Sequence, residues 1–241
     1  MKPVKLSFAV ALVLAAMPLV SFAQDAEVAV EEEAESPISW ELTGGSDYVF
    51  RGVSQTNEKP TGQAGITYTT PIGLYVGAWA SGVDFGGNDP RFEVDSFIGY
   101  NVDLTENINF DVMANRYNYP DAGKSNYWEF YATTTFMDTY NLTVTYTDDV
   151  FNTGTDAWYY SAGAEWGFGN DYTFGANVGH SVFDDNDAAG VEDYTDWGVS
   201  VGKSWGMVSA KLGYVGTDGK GKDDYGERAD SRVVLTLSVG Q

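Results

Sequence analysis

From about Ile38 to Val239, apolar and polar residues alternate in short runs separated by turn-forming residues. A period of two marks strands whose two faces meet different surroundings. The pattern predicts twelve strands, over residues 38–50, 62–70, 73–85, 91–103, 107–119, 125–137, 140–148, 155–168, 171–183, 192–204, 207–217 and 230–239. Connections after the even strands are tight, around Pro71, Asp103–Glu106, Asp138, Gly169–Asn170 and Gly206. Those after the odd strands are longer and polar, as in Asp184–Glu192 and Asp218–Ala229. An even strand number with short turns on one edge and long loops on the other predicts an outer-membrane barrel. The expected fold is therefore all-β, a twelve-stranded antiparallel transmembrane β-barrel. Both termini then lie on the short-turn, periplasmic side.

The two faces separate by parity. In the eighth predicted strand Trp158, Tyr160, Ala162, Ala164, Trp166 and Phe168 oppose Tyr159, Ser161, Gly163, Glu165 and Gly167. One set suits lipid and the other suits water. Trp158 and Trp166 are eight residues apart, about 26 Å of strand. With strand tilt this spans roughly 20 Å, close to the apolar band of a bacterial barrel. The tryptophans are thus expected in two aromatic girdles, with Trp128, Trp158 and Trp197 toward the long loops and Trp40, Trp166 and Trp205 toward the short turns. Trp79 is mid-strand and fits neither girdle. On the opposite parity Glu41, Asp47, Glu93, Asp95, Asp111, Glu129, Glu165 and Asp196 are expected in the lumen, with Arg51, Lys211 and Arg232 as their basic counterparts. A soluble core could not bury so many carboxylates, whereas a wet lumen holds them, partly paired.

Targeting features agree with this placement. Lys2 and Lys5, the apolar run Leu6 to Val20 and the Ser21-Phe22-Ala23 site predict a signal peptide over residues 1–23. Residues 24–37 are acidic and predict a disordered periplasmic lead-in, leaving 38–241 for the barrel. No other run reaches the length of a membrane-spanning helix, so a membrane location requires a closed barrel. Cysteine is absent, which excludes thiolate metal sites and cysteine nucleophiles. The 13 basic residues include Lys2 and Lys5, so the mature chain carries 11 against 35 acidic residues, a net charge of −24. Such a chain does not bind nucleic acid through phosphates; its charge reads as a solvated, self-repelling surface, with attraction of cations as the sharper alternative.

SDYVFRGVSQT at 46–56, GLYVGAWASGVDF at 73–85 and FEVDSFIGY at 92–100 resemble the TorF-type porins of proteobacteria. The resemblance covers nearly the whole mature chain and is strongest in the first motif. It implies an outer-membrane barrel that passes small solutes. The chain departs from many outer-membrane barrels by ending Ser238-Val239-Gly240-Gln241 rather than on an aromatic residue.

Candidate chemistry is sparse. His180 is the single histidine, and its neighbour Ser181 points to the other face, so no Ser-His hydrolase arrangement forms. Asp185, Asp187 and Asp193 fall at calcium-loop-like offsets in the loop Asp184–Asp196, and weakly bound Ca²⁺ at surface loops is the one cofactor the sequence admits. Asp47 and Arg51 share parity and are expected to pair, with Tyr48 and Phe50 toward lipid or the girdle. The expected function is not enzymatic. It is passive diffusion of small hydrophilic solutes, with a preference for cations, across the outer membrane of a Gram-negative bacterium. Twelve strands give a barrel roughly 25 Å across between backbones, narrowed by Tyr75, Trp79 and Tyr159. Expected partners are outer-membrane lipid, lipopolysaccharide, the outer-membrane assembly machinery and the solutes themselves. The alternative is a closed structural or interaction barrel whose acidic loops bind cations, lipopolysaccharide or a phage.

Overall fold

The computed structural model describes residues 36–86 and 90–241. The predicted signal peptide and nearly all of the predicted lead-in lie outside the described residues. Twelve strands close into one antiparallel barrel: β1 (Ile38–Gly45), β4 (Thr61–Thr69), β5 (Leu74–Gly82), β6 (Phe92–Thr105), β7 (Ile108–Asn118), β8 (Tyr127–Phe136), β9 (Tyr140–Thr147), β10 (Ala157–Phe168), β11 (Tyr172–Phe183), β12 (Tyr194–Trp205), β13 (Val208–Thr217) and β14 (Arg232–Gly240). Each pairs with its sequence neighbour, and β1 pairs with β14 to shut the barrel, with Glu41 opposite Gly240 and Gly45 opposite Thr236. Closure removes the unpaired edge that an open sheet would expose.

The short turns are built as hairpins demand. Trp205 pairs with Val208 across Gly206 and Met207, and Gly206 has φ +62. A positive φ at the first turn residue is where a two-residue hairpin accepts glycine. Asn170 and Asp171 at the β10–β11 turn, and Met137 and Asp138 at the β8–β9 turn, also take left-handed φ values, which matches the strands' right-handed twist. At the other end the loops are long and carry local structure: α1 (Asn186–Ala189), α2 (Gly219–Tyr225) and a single-turn helix over Gly226–Ala229.

Parity behaves as the alternation predicts. Leu42, Ile66, Val76, Ile98, Val178 and Leu235 point outward and are exposed. An apolar belt of this extent calls for an apolar surrounding. Trp128, Trp158 and Trp197 sit outside toward the long-loop end, and Trp40, Trp166 and Trp205 outside toward the short turns. Trp158 stacks on Tyr160 and meets Tyr146 at a tilt, with centroids 6.2 and 4.6 Å away. Around Trp166 lie Tyr140 and Phe174 at 6.1 and 5.8 Å. Trp79 points inward and is buried.

One element departs from the sequence pattern. The first strand ends at Gly45, not at residue 50. Residues 46–60 turn inward and form a small hairpin, β2 (Val49–Phe50) and β3 (Val53–Ser54). Gly45 makes the bend: a side chain there would come 2.9 Å from the Asp47 carbonyl oxygen. Phe50 pairs with Val53 across Arg51 and Gly52, whose φ values are +48 and +79. Two left-handed residues are what a type I′ hairpin turn requires. The loop then closes on itself through Gln55 N–H donating to the Tyr48 carbonyl at 2.7 Å.

Candidate functional site

The inward hairpin crosses the long-loop mouth of the barrel. On one side Tyr48 meets Trp79 of β5 edge-on, with centroids 5.3 Å apart, and its hydroxyl donates to Glu93 of β6 at 3.1 Å. Phe50 lies 6.2 Å from Tyr117 of β7. At the tip, the Arg51 guanidinium donates to Glu129 of β8 at 2.9 Å and lies 4.3 Å from the centre of the Tyr159 ring of β10. On the far side, Gly52 abuts β12 and β13 so closely that a Cβ would stand 2.6 Å from Thr217 and 2.8 Å from Asp196. Val53 packs with Tyr194 and Ala229 in a buried apolar cluster. The hairpin therefore touches β5 to β8, β10, β12 and β13 near their long-loop ends.

Two further contacts tether its base. Asp47 accepts from Ser54 and Thr56, each at 2.6 Å, and from Arg232 of β14 at 3.2 Å. Arg232 also reaches Glu58 at 3.2 Å. Lys59 donates to Asp84 at 2.7 Å, linking this loop to the next. The Lys59 ammonium and the Gly86 amide hold the Asp84 carboxyl below its ordinary range. The expected Asp47–Arg51 pair does not form, because the chain leaves the strand before Asp47 and sends Arg51 across the bore. Tyr48 and Phe50, expected toward lipid, lie inside for the same reason.

All eight expected lumenal carboxylates point inward, as do Arg51, Lys211 and Arg232. Three of the eight meet a basic side chain: Glu129 with Arg51, Asp47 with Arg232, and Glu165 with Lys211 at 3.9 Å. The other five meet neutral donors. Glu41 accepts from Thr43 at 2.8 Å, Glu93 from Tyr48, Asp95 from Asn115 at 3.0 Å, Asp111 from Tyr75 at 2.9 Å and Asp196 from Tyr159 at 3.2 Å.

The lumen is not uniformly wet, contrary to the sequence expectation. Its β5–β8 wall is filled by Tyr75, Trp79, Phe97, Met113 and Tyr131, which pack with Tyr48. Glu129 is only 1% exposed and receives Arg51, the Tyr117 hydroxyl at 3.2 Å and the Tyr131 hydroxyl. Hydroxyls and amides stand in for water there, because a buried carboxylate without donors is costly. The wall from β10 through β14 carries smaller residues on its inward parity, among them Ser161, Gly163, Gly175, Asn177, Ser200 and Gly213, beside buried Tyr159, Tyr194 and Asp196.

The three aspartates of the calcium-like spacing make local contacts within their own loop. Asp185 caps α1, accepting from the Ala188 amide at 3.0 Å, and Asp193 accepts from the Phe183 amide at 3.0 Å and Asn186 at 3.1 Å. Asp187 belongs to the first turn of α1. Among the described residues no three His, Cys, Asp or Glu side chains converge as a metal set. His180 is on the outer surface, 3.0 Å from Thr195. Sequence reasoning missed Tyr117, Tyr131, Phe50 and Gly52. The inward parity of β7 and β8 and the Arg-Gly pair between Phe50 and Val53 were the available clues.

These features define a class: a closed twelve-stranded barrel of outer-membrane porin type, with an acidic lumen and a hairpin across its mouth. The chain belongs to the family described as "Bacterial protein of unknown function (Gcw_chp)", whose model matches residues 31–238. That description carries no TorF name; what the chain shares with solved porins is the fold. The structure resembles the KdgM porin, with TM-score 0.56 and 8% identity over 84% of this chain and 97% of that one. It likewise resembles the NanC porin, with TM-score 0.57 and 10% identity over 83% and 98%. The KdgM porin in complex with disordered oligogalacturonate matches at TM-score 0.52 and 8% identity, over 84% and 95%. No curated protein matches the chain.

Proposed function

We propose that this protein is an outer-membrane channel for small hydrophilic solutes, preferring cations, whose eyelet is the Arg51 hairpin. The carrying observation is the lumen's charge: eight inward carboxylates against Arg51, Lys211 and Arg232, with five of the eight forming no ion pair among the described residues. A narrow passage lined this way holds a negative potential that concentrates cations and repels anions. The KdgM porin is known in complex with oligogalacturonate, a polyanion; the acidic lumen here argues against that solute class. The mechanism is filtration, with no bond made or broken. Solutes pass the hairpin within the lumen, which deeper in holds Lys211 and Glu165 facing each other at 3.9 Å.

In this reading the apolar belt contacts lipid and lipopolysaccharide, the assembly machinery inserts the barrel, and both termini are periplasmic. Single-channel recording in planar bilayers under a salt gradient tests it, with discrete steps and a cation-selective reversal potential expected. A second reading, a closed structural or interaction barrel, draws support from the hairpin itself, since contacts on opposite walls could hold the mouth shut. A folded protein giving no steps would favour that reading.

A further inference from the structure

The cradle that holds the Arg51 guanidinium belongs to the barrel wall more than to the loop. Glu129 comes from β8, its supporting hydroxyls Tyr117 and Tyr131 from β7 and β8, and the stacking ring Tyr159 from β10. Continuous ladders fix the strands that carry these groups, so their backbone positions are set by the barrel and not by the loop. Tyr117 and Tyr131 hydroxyls lie 2.5 Å apart and both reach Glu129, which orients the carboxylate toward the bore. Only Phe50, 4.5 Å from the guanidinium on another side, is supplied by the loop. The tethered group fills the cradle imperfectly: Arg51 Nε is buried and donates to nothing. A planar cation stacked on an aromatic ring and bonded to a carboxylate is the arrangement that selects guanidinium over ammonium.

We propose that this wall cradle is a binding subsite for the guanidinium group of a small solute, with Arg51 as its resident competitor. The proposal deepens the channel reading and rests on it only for the solute's route. A solute guanidinium reaching the mouth meets a carboxylate, two hydroxyls and a ring already in place, and its arrival frees the hairpin tip. Arg51, held by a short loop, competes at an effective concentration on the order of millimolar. The subsite is therefore masked in the wild-type protein and uncovered when Arg51 is removed.

The test uses the detergent-solubilised full chain with Arg51→Ala and, as probe, ethylguanidinium chloride, against ethylammonium chloride and sodium chloride at equal ionic strength. Urea unfolding is followed by tryptophan fluorescence. Ethylguanidinium is expected to raise the Arg51→Ala midpoint saturably, at a concentration about ten-fold or more below that needed with wild type. The Arg51→Ala/Glu129→Gln protein should not respond. An equal response to ethylammonium, or a response that survives Glu129→Gln, would overturn the proposal. If Arg51→Ala does not fold, Arg51→Lys carries the same comparison, because its ammonium lacks the stacking plane and is displaced more readily; a response equal to wild type then counts against the subsite. Bilayer recording separates the two readings. Binding without conductance removes the channel and keeps the subsite, while conductance without binding removes the subsite alone.

Discussion

Arg51→Ala should release the hairpin from the barrel mouth. The Arg51 side chain is 10% exposed and that of Glu129 only 1%, so the pair is buried rather than a surface ion pair. Removing one partner of a buried pair costs about 3–5 kcal/mol. The lower figure applies here, because Tyr117 and Tyr131 still donate to Glu129. In the withdrawn state Glu129 regains water, so the cost falls on the inserted loop rather than on the barrel ladder. At about 1.4 kcal/mol per decade, a loss of about 3 kcal/mol raises the withdrawn population roughly 100-fold. The chain contains no cysteine, so Val53→Cys gives a single thiol at a position 2% exposed when the loop is inserted. Its maleimide labelling rate reports the withdrawn population when reclosing is fast. Labelling of Val53→Cys should accelerate by roughly two decades in the Arg51→Ala background. Glu129→Gln should act in the same direction, with the double mutant less than additive because the two residues share one interaction. An unchanged labelling rate in both backgrounds would refute the latch.

Gly52→Ala should also expel the hairpin, since it adds a Cβ 2.6 Å from Thr217 at a residue with φ +79; the same labelling assay checks it, and a protected thiol would refute it. The Lys59–Asp84 tether should weaken in acid. Asp84's carboxyl is held below its ordinary range by Lys59, so its contribution is present above the ordinary carboxylate range and lost as the pH falls through the depressed value. Intrinsic-rate-corrected hydrogen exchange around residues 55–59 should be steady near neutral pH and rise only as the pH falls through the depressed Asp84 value, and a flat profile would remove the tether's role. Tags near Asn186 or Gly221 should be labelled on intact cells, and tags at Asp138 or Gly169 only once the outer membrane is opened; the reverse pattern would invert the topology.

The strands were legible because period two survives in every one of them. Short turns could be placed from Gly206, Gly169 and Asp138, and inward parity alone picked out Glu93, Asp95, Glu129 and Asp196. The first strand was overextended because Tyr48 and Phe50 keep alternating with Asp47 and Val49 after the chain has left the ladder. A hairpin with one face on aromatic rings has the same period as a strand with one face on lipid. Partners across the bore were not legible. Glu129 meets Arg51, 78 residues away, and nothing in local pattern couples them. The filling of the β5–β8 wall was half visible: Tyr117, Tyr127 and Tyr131 share inward parity, but the stacking of Tyr117 on Tyr127 and the hydroxyl contact between Tyr117 and Tyr131 are not given by parity. In the calcium-like spacing, Asp185 and Asp193 each accept a backbone N–H of their own loop, local contacts that the offsets alone do not show.

The central claim is a water-filled, cation-preferring passage beside the Arg51 hairpin. Its most direct test is the zero-current potential of the purified protein in a planar bilayer under a potassium chloride gradient. The account predicts discrete conductance steps and a reversal potential of the cation-selective sign, reduced toward zero in Glu93→Gln/Asp95→Asn and largest at low salt, where screening is weakest. A reversal potential of the anion-selective sign, or a folded barrel that never conducts, would contradict it.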